Sequence, residues 1–143
     1  ACETSEKNSG GLATDDAIFK TAVAQGQTFF VSSGDSNAKE CRFLYFFHVA
    51  GDSYPASSPY VVSVGGTSLN VTTSGTYSSE TVWNTKTTEG TGGGASLVEP
   101  KPSWQNGVSA LSKSSYRGVP DIALDADPAT GVWPGSARQG AQG

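Results

Sequence analysis

The fold of this chain is indicated by the segment Phe29-Phe30-Val31-Ser32-Ser33-Gly34-Asp35. An apolar start, small residues and a single closing carboxylate are typical of a buried parallel strand that ends at a ligand-binding crevice. We therefore predict that Asp35 lies at the mouth of an active site. If buried there, the carboxyl would stay protonated and could donate a hydrogen bond to a developing oxyanion. The same pattern also fits an aspartate that only caps a turn or a helix.

A helix is predicted directly before this strand. Asp15 and Asp16 are suited to a helix start, where carboxylates satisfy free amide groups. Ile18, Ala22 and Val23 then fall on one face, which indicates an amphipathic helix that packs on the sheet.

Further strands are predicted along the chain. Residues 61–64 form a second buried-strand candidate that Gly65-Gly66 would close, and residues 69–71 and 76–83 fit a surface hairpin. Residues 120–126 alternate polar and apolar side chains, as an extended segment does. A helix followed by parallel strands predicts an α/β fold with flanking helices.

The remaining segments are predicted to be irregular. Residues 1–10 are polar and indicate a loop, and residues 85–96 are rich in threonine and glycine and indicate a mobile loop. Gly92-Gly93-Gly94 lacks the lysine of a phosphate-binding loop, so it indicates flexibility and not nucleotide binding.

Composition limits the function classes. The chain has 143 residues, 36% of them apolar and 15% charged, with a net charge of −4. Such a chain fits one folded domain and is unlike a disordered protein, which carries more charge. An acidic surface argues against nucleic acid and against anionic membranes. The longest apolar run, residues 43–47, is far too short to cross a bilayer.

The sequence offers little for a metal centre. One histidine, His48, and two distant cysteines cannot form a zinc site. The spacing of Asp121, Asp125 and Asp127 does not match a calcium loop, so we expect solvated or capping carboxylates there. His48 as the base of a catalytic triad is disfavoured, since a lone histidine is more often structural or exposed.

Cys2 and Cys41 are the only cysteines. An even number in an acidic, serine-rich chain permits a disulfide and an extracellular location. Spacing alone leaves two free buried thiols equally possible.

Several short motifs, taken together, resemble the sedolisins, which are serine-carboxyl peptidases with a subtilisin-like fold. Each motif is weak alone, but they occur in the family's order over nearly the whole chain. They are residues 24–28 leading to 32–35, residues 55–59, 64–67, 80–84, 92–94, 101–105, 119–122 and 125–128. The cysteine spacing also resembles that of a disulfide in bacterial members, which implies a Cys2–Cys41 bond.

The resemblance implies roles for four residues. Asp35 would be the acid of the oxyanion hole, in a mechanism where a serine attacks the peptide carbonyl and a glutamate acts as general base. Ser33 and Gly34 would edge the substrate cleft, and Ser53 would line the primary specificity pocket. An acidic working pH follows, because the donor must carry its proton.

The family's other catalytic parts do not match anything in residues 1–143. Its nucleophile motif, Gly-Thr-Ser-x-Ala-x-Pro, is expected downstream of Pro128, and its base-bearing helix upstream of Ala1. Gly66-Thr67-Ser68 resembles the motif, but Asn70 replaces its alanine and Thr72 its proline. The family's calcium site is also expected elsewhere, so no cofactor is expected in this chain.

We therefore interpret residues 1–143 as a partial, central segment of a secreted sedolisin-type endopeptidase domain. Its expected partners are a peptide or protein substrate and the remaining part of the catalytic domain, with no nucleic acid and no membrane. Alone, the segment is expected to be inactive. The alternatives are a non-catalytic peptide-binding or inactive truncated module, and one chain of a processed two-chain enzyme.

Overall fold

A computed structural model of the chain describes residues 1–43, 47–85 and 89–131. The helices and strands follow one another as α1 Glu3–Ser9, α2 Gly11–Ala24, β1 Phe30–Ser32, β2 Cys41–Phe43, β3 Phe47–Val49, β4 Val62–Val71, β5 Tyr77–Val82, β6 Gly94–Pro100, β7 Tyr116–Val119 and β8 Ile122–Asp125. Two short 3₁₀ turns, Ser103–Gln105 and Ser109–Leu111, lie between β6 and β7.

The main sheet is organised around β4. β1 pairs with the start of β4 in parallel, with Phe30 opposite Val62, and β8 pairs with its middle in parallel, with Ile122 opposite Val64. β5 pairs with the end of β4 in antiparallel orientation. Parallel strands with helices confirm the predicted α/β class. Because β1, β4 and β8 run in the same direction, the residues that follow β1 and β8 meet at one edge of the sheet.

Two antiparallel pairs complete the described strands. β2 pairs with β3, which places Arg42 opposite His48, and β6 pairs with β7. The apolar run at 43–47 lies mostly between β2 and β3, and residues 44–46 are outside the described part of the chain.

The glycine pair in β4 does not end the strand as predicted. A Cβ at Gly65 would lie 2.6 Å from the ring of Pro120, and a Cβ at Gly66 would lie 2.9 Å from the ring of Trp83. Glycine is therefore needed here for close packing, and the strand continues into the hairpin with β5. That hairpin was predicted and is confirmed.

The N-terminal residues form a helix and not the predicted loop. Glu3 and Glu6 lie in the first turn of α1 and Lys7 in its last turn, which suits the helix dipole. Gly10 (φ +81°) then closes the helix, and its N–H donates to the carbonyl of Lys7 at 3.1 Å. α2 begins at Gly11, ahead of Asp15 and Asp16, and covers the predicted helix.

The apolar surfaces predicted to be buried are only partly covered. Ala22 is buried, but Ile18 is 60% exposed and Phe30 at the start of β1 is 67% exposed. On β8, Leu124 is 60% exposed. β1 is thus a parallel strand, as predicted, but it is not a buried one, because no described residue covers the side chain of Phe30.

No helix in the described ranges is long and apolar enough to span a bilayer.

Candidate active site

The turn after β1 is built from buried backbone contacts. The N–H of Ser33 donates to the carbonyl of Val64 at 2.8 Å, which extends the parallel pairing by one residue. The hydroxyl of Ser33 is buried and donates to the carbonyl of Gly92 at 2.8 Å. Ser33 therefore fixes the turn to Val64 on β4 and to Gly92.

A glycine segment pairs with this turn. The N–H of Gly92 donates to the carbonyl of Gly34 at 2.9 Å, and the N–H of Gly90 donates to that of Asp35 at 2.9 Å. The N–H of Asn37 in turn donates to the carbonyl of Gly90. The prediction of a mobile loop at 85–96 is wrong for residues 90–96, because these contacts and the start of β6 order them.

Gly34 is required by both conformation and space. Its φ of +108° is strained for any other residue, and an added Cβ would overlap the carboxyl group of Glu40. An added Cβ at Gly92 would overlap the backbone of Ser33. The turn and the glycine segment thus approach more closely than side chains would allow.

Glu40 fixes the far side of the turn. Its Oε1 accepts a hydrogen bond from the N–H of Ser36 at 2.6 Å, and its own N–H donates to the carbonyl of Gly51. A carboxylate held this way clamps the residues on either side of Asp35. Sequence reasoning missed Glu40, since a carboxylate that folds back on a turn leaves no periodic pattern.

Asp35 lies at a cleft, as predicted, but it is not buried. The cleft has a volume of about 580 Å³, and its walls include Gly34, Asp35, Ser53, Trp83 and Asp125. The carboxyl group of Asp35 is exposed and accepts a hydrogen bond from the hydroxyl of Ser36 at 3.2 Å. The condition of burial, under which the carboxyl would stay protonated, is therefore not met by the described residues alone.

Ser53 reaches the same cleft from a different part of the chain. It precedes Tyr54 and the cis peptide bond to Pro55, and it forms an isolated β-bridge with Cys2. The structure therefore brings Gly34, Asp35 and Ser53 together on the cleft wall, while the side chain of Ser33 lies behind it.

The two cysteines form a disulfide bond, Cys2–Cys41. The bond ties the start of α1 to the residue after Glu40. It confirms the pairing that the sedolisin resemblance implied and excludes the alternative of two free thiols.

The three aspartates at the end of the described chain are structural. Asp121 pairs with the buried Arg117 and also accepts a hydrogen bond from the N–H of Ser63 at 2.8 Å. Asp125 accepts one from the hydroxyl of Thr130 at 2.9 Å. These contacts agree with the predicted capping role.

Asp127 caps the turn that follows β8. It accepts hydrogen bonds from the hydroxyl of Ser68 at 2.6 Å and from the N–H of Ala129 at 2.9 Å. These bonds stabilise the ionised form, so the pKa of Asp127 lies below its usual value of 3.8. Over the described ranges, no group of three or more histidine, cysteine, aspartate or glutamate side chains is placed to hold a metal ion.

His48 lies on β3, and its side chain is outside what the structure describes. Ser68, the serine of the motif-like segment 66–68, lies within β4 and its hydroxyl is bound to Asp127. That contact fits a structural serine better than a nucleophile.

Comparison with known proteins agrees with the motifs. The chain is 47% identical over 138 residues to sedolisin from Pseudomonas sp. (strain 101), an alignment that covers 92% of this chain and 23% of the relative. It is 42% identical to xanthomonalisin from Xanthomonas sp. (strain T-22), across 91% of this chain and 19% of the relative. The solved structure of Pseudomonas sedolisin, a serine-carboxyl proteinase complexed with two molecules of pseudo-iodotyrostatin, superposes with a TM-score of 0.78 at 44% identity.

The chain belongs to the sedolisin family. Kumamolisin from Bacillus sp. (strain MN-32) is a further relative, at 41% identity over 84% of this chain. The solved sedolisin has a subtilisin-like fold, and this chain reproduces part of it: the match covers 91% of this chain and 37% of that structure. No family model matches the chain. The chain spans about a fifth to a quarter of the length of the sedolisin-family relatives it matches.

Proposed function

We propose that this chain is the central part of a secreted serine-carboxyl endopeptidase that cleaves peptide bonds at acidic pH. The observation that carries the proposal is the position of Asp35, at the carboxyl end of a parallel strand and on the wall of a cleft. The relatives support it, since a solved sedolisin is described as a serine-carboxyl proteinase.

In this proposal Asp35 is the acid of the oxyanion hole. When a serine attacks the peptide carbonyl, negative charge develops on the carbonyl oxygen, and a protonated carboxyl can donate a hydrogen bond to it. The Glu40 contact and the Gly90 and Gly92 backbone bonds hold the turn before the reaction, so little reorganisation is needed. A bound peptide would cover the exposed side chain.

Acidic pH follows from the chemistry of the donor. Only the protonated carboxyl can donate, so activity should fall as Asp35 loses its proton. Ser53, on the same cleft wall, would contact the side chain next to the cleaved bond, and Gly34 would allow the substrate backbone to approach.

The nucleophile, the general base and the calcium ion belong, in this proposal, to other segments of the domain. Within residues 1–143, Ser68 is bound to Asp127 and no described acid cluster suits a metal. The isolated chain should therefore not hydrolyse peptides. The disulfide supports an oxidising, extracellular location.

The test is a peptidase assay at pH 3–5 on the full-length protein that contains this chain. Asp35→Ala should lower kcat by ~10²–10³, the usual cost of one oxyanion donor. Glu89→Gln, which replaces an exposed carboxylate outside the cleft, is the matched control and should leave kcat unchanged. An Asp35→Ala variant with the parent's kcat would overturn the role of Asp35, and hydrolysis by the isolated chain would overturn its dependence on other segments.

A further inference from the structure

The packing of the N-terminal helices against β6 depends on buried carboxyl groups. Glu3 on α1 is fully buried, and its Oε1 accepts a hydrogen bond from the N–H of Leu97 on β6 at 2.7 Å. Its Oε2 accepts another from the hydroxyl of Ser96 at 2.5 Å. The attachment of α1 to β6 is therefore made by a buried carboxyl group and not by an apolar surface.

A second carboxyl contact joins α2 to the same strand. The carboxyl groups of Asp16 on α2 and Glu99 on β6 are close enough to share a hydrogen bond. Glu99 is only 5% exposed, and its Oε1 has no hydrogen-bond partner among the described residues. A hydrogen bond between two carboxyl groups needs a proton on one of them. Oδ1 of Asp16 already accepts bonds from the hydroxyls of Tyr54 at 3.0 Å and Ser58 at 2.6 Å, and Glu99 is the more buried of the two carboxyl groups, so we assign the proton to Glu99.

Asp52 adds a third buried carboxyl group. It is 2% exposed, and its Oδ2 has no hydrogen-bond partner among the residues that the structure describes. Its backbone is bound to Glu3 in both directions: Glu3 N–H donates to the carbonyl of Asp52 at 3.1 Å, and Asp52 N–H donates to Oε1 of Glu3 at 3.3 Å. Burial and the neighbouring Glu3 both disfavour the ionised form of Asp52.

We propose that Glu3, Asp16, Asp52 and Glu99 form a proton-operated latch, which holds α1 and α2 against β6 at acidic pH and loosens as the pH approaches neutrality. None of the four residues of this carboxyl latch lines the cleft, and the latch does not depend on the proposed peptidase activity. The disulfide at Cys2 would keep the start of α1 tethered while the latch is loose.

The charges around the latch favour protonation. Burial raises the pKa of Glu99 from 4.5 to about 7, with further contributions from the charges of Asp16 and Glu3, and Arg117 on β7 opposes the shift. Burial likewise raises the pKa of Asp52 from 3.8 to about 7, with Glu3 and Glu40 adding to the shift and Arg117 opposing it. Tyr54, which faces Asp16 and Glu99, has a raised pKa and stays neutral over this range.

The direction of the pH effect follows from these shifts. The unfolded chain loses both protons near pH 4, whereas the folded chain keeps them until about pH 7. The folded state therefore binds more protons between pH 4 and pH 7, and its stability falls across that window as the pH rises. The stabilising contribution of Asp52 and Glu99 is therefore full below about pH 4 and lost above about pH 7.

The test is hydrogen exchange at the Leu97 amide, which donates to Glu3, in the 143-residue chain. After correction for the intrinsic exchange rate, the protection of this amide should fall at least about tenfold between pH 4.5 and pH 7.5. A tenfold change corresponds to a pKa difference of about one unit between the folded and unfolded states for a single carboxyl group. An Asp52→Asn/Glu99→Gln double variant should show little change with pH. Glu89→Gln, an exposed control, should behave like the parent chain.

Protection that is independent of pH in the parent chain, or an undiminished fall in the double variant, would overturn the proposal. If the double variant does not fold, ¹³C titration of the parent chain's carboxyl groups decides. Apparent pKa values near 7 for Asp52 and Glu99 support the latch. Values near 4 for both contradict it.

Discussion

Arg117 and Asp121 form a bidentate ion pair, with Nη2–Oδ2 and Nη1–Oδ1 distances of 2.6 and 2.9 Å. Arg117 is fully buried, and its guanidinium also donates to the carbonyl of Ser58 at 3.0 Å and lies 5.1 Å from the ring centre of Trp104. This one side chain therefore joins β7, the segment before β4 and the turn before β8.

Removing one partner of this pair should be costly. Asp121→Asn leaves the charge of Arg117 buried without its counter-ion, so we expect a loss of about 3–5 kcal/mol in the free energy of unfolding. Urea unfolding followed by circular dichroism measures it. Asp15→Asn is the control, because Asp15 is not part of a described ion pair. A loss below about 1 kcal/mol would show that the ion pair contributes little to the stability of the fold.

Gly34→Ala should destabilise the turn that carries Asp35. The alanine would have to keep the φ of +108°, and its Cβ would overlap the carboxyl group of Glu40. We therefore expect the free energy of unfolding to fall by about 1–3 kcal/mol. Gly107→Ala is the control, because open space surrounds Gly107. Equal unfolding midpoints for the two variants would mean that the close approach of Gly34 and Glu40 is not needed.

Reduction of the disulfide should lower stability without a change in sequence. The bond closes a loop with a sequence separation of 39 residues, for which the chain-entropy estimate is about 4 kcal/mol. Thermal unfolding with and without a reductant, at one pH, measures the difference. The Cys2→Ser/Cys41→Ser variant should unfold like the reduced chain, and should not respond to reductant. An unfolding temperature of the parent chain that is insensitive to reduction would contradict this account.

The carboxyl of Asp127 should report its hydrogen bonds directly. Its pKa is lowered, first by the Ser68 hydroxyl, so it favours the folded state above its unfolded value of 3.8 and loses that contribution as the pH falls through the folded value. NMR titration should show the pKa of Asp127 moving up towards 3.8 in Ser68→Ala. Ser74→Ala, in the exposed turn of the hairpin, is the matched control. An unchanged titration in Ser68→Ala would exclude this hydroxyl as the cause.

Sequence reasoning located the cleft because its signal is local. The segment 29–35 combines an apolar strand with a closing carboxylate, and the pairing of β1 with β4 places Asp35 at the sheet edge as that pattern predicts. The hairpin of β4 and β5 and the extended segment at β8 were also predictable, since alternation and turn residues are local features.

Burial was not predictable in the same way, because it depends on what packs on each face. Phe30 was predicted to be covered and is 67% exposed. No sequence pattern indicated that Arg117 and Glu3 are buried, yet both are fully buried. A charged residue that satisfies backbone groups from distant segments becomes visible only when those segments are assembled, and the same holds for Glu40.

The central claim is that Asp35 donates a hydrogen bond to the oxyanion of a bound peptide. The most direct measurement is a crystal structure, at pH 4, of the full-length protein that contains this chain with a peptide aldehyde bound to its nucleophile. The account predicts a carboxyl oxygen of Asp35 about 2.5–2.7 Å from the hemiacetal oxygen, the length of a charge-assisted O–H···O bond. An Asp35 carboxyl that points away from this oxygen, with another group in its place, would contradict the account.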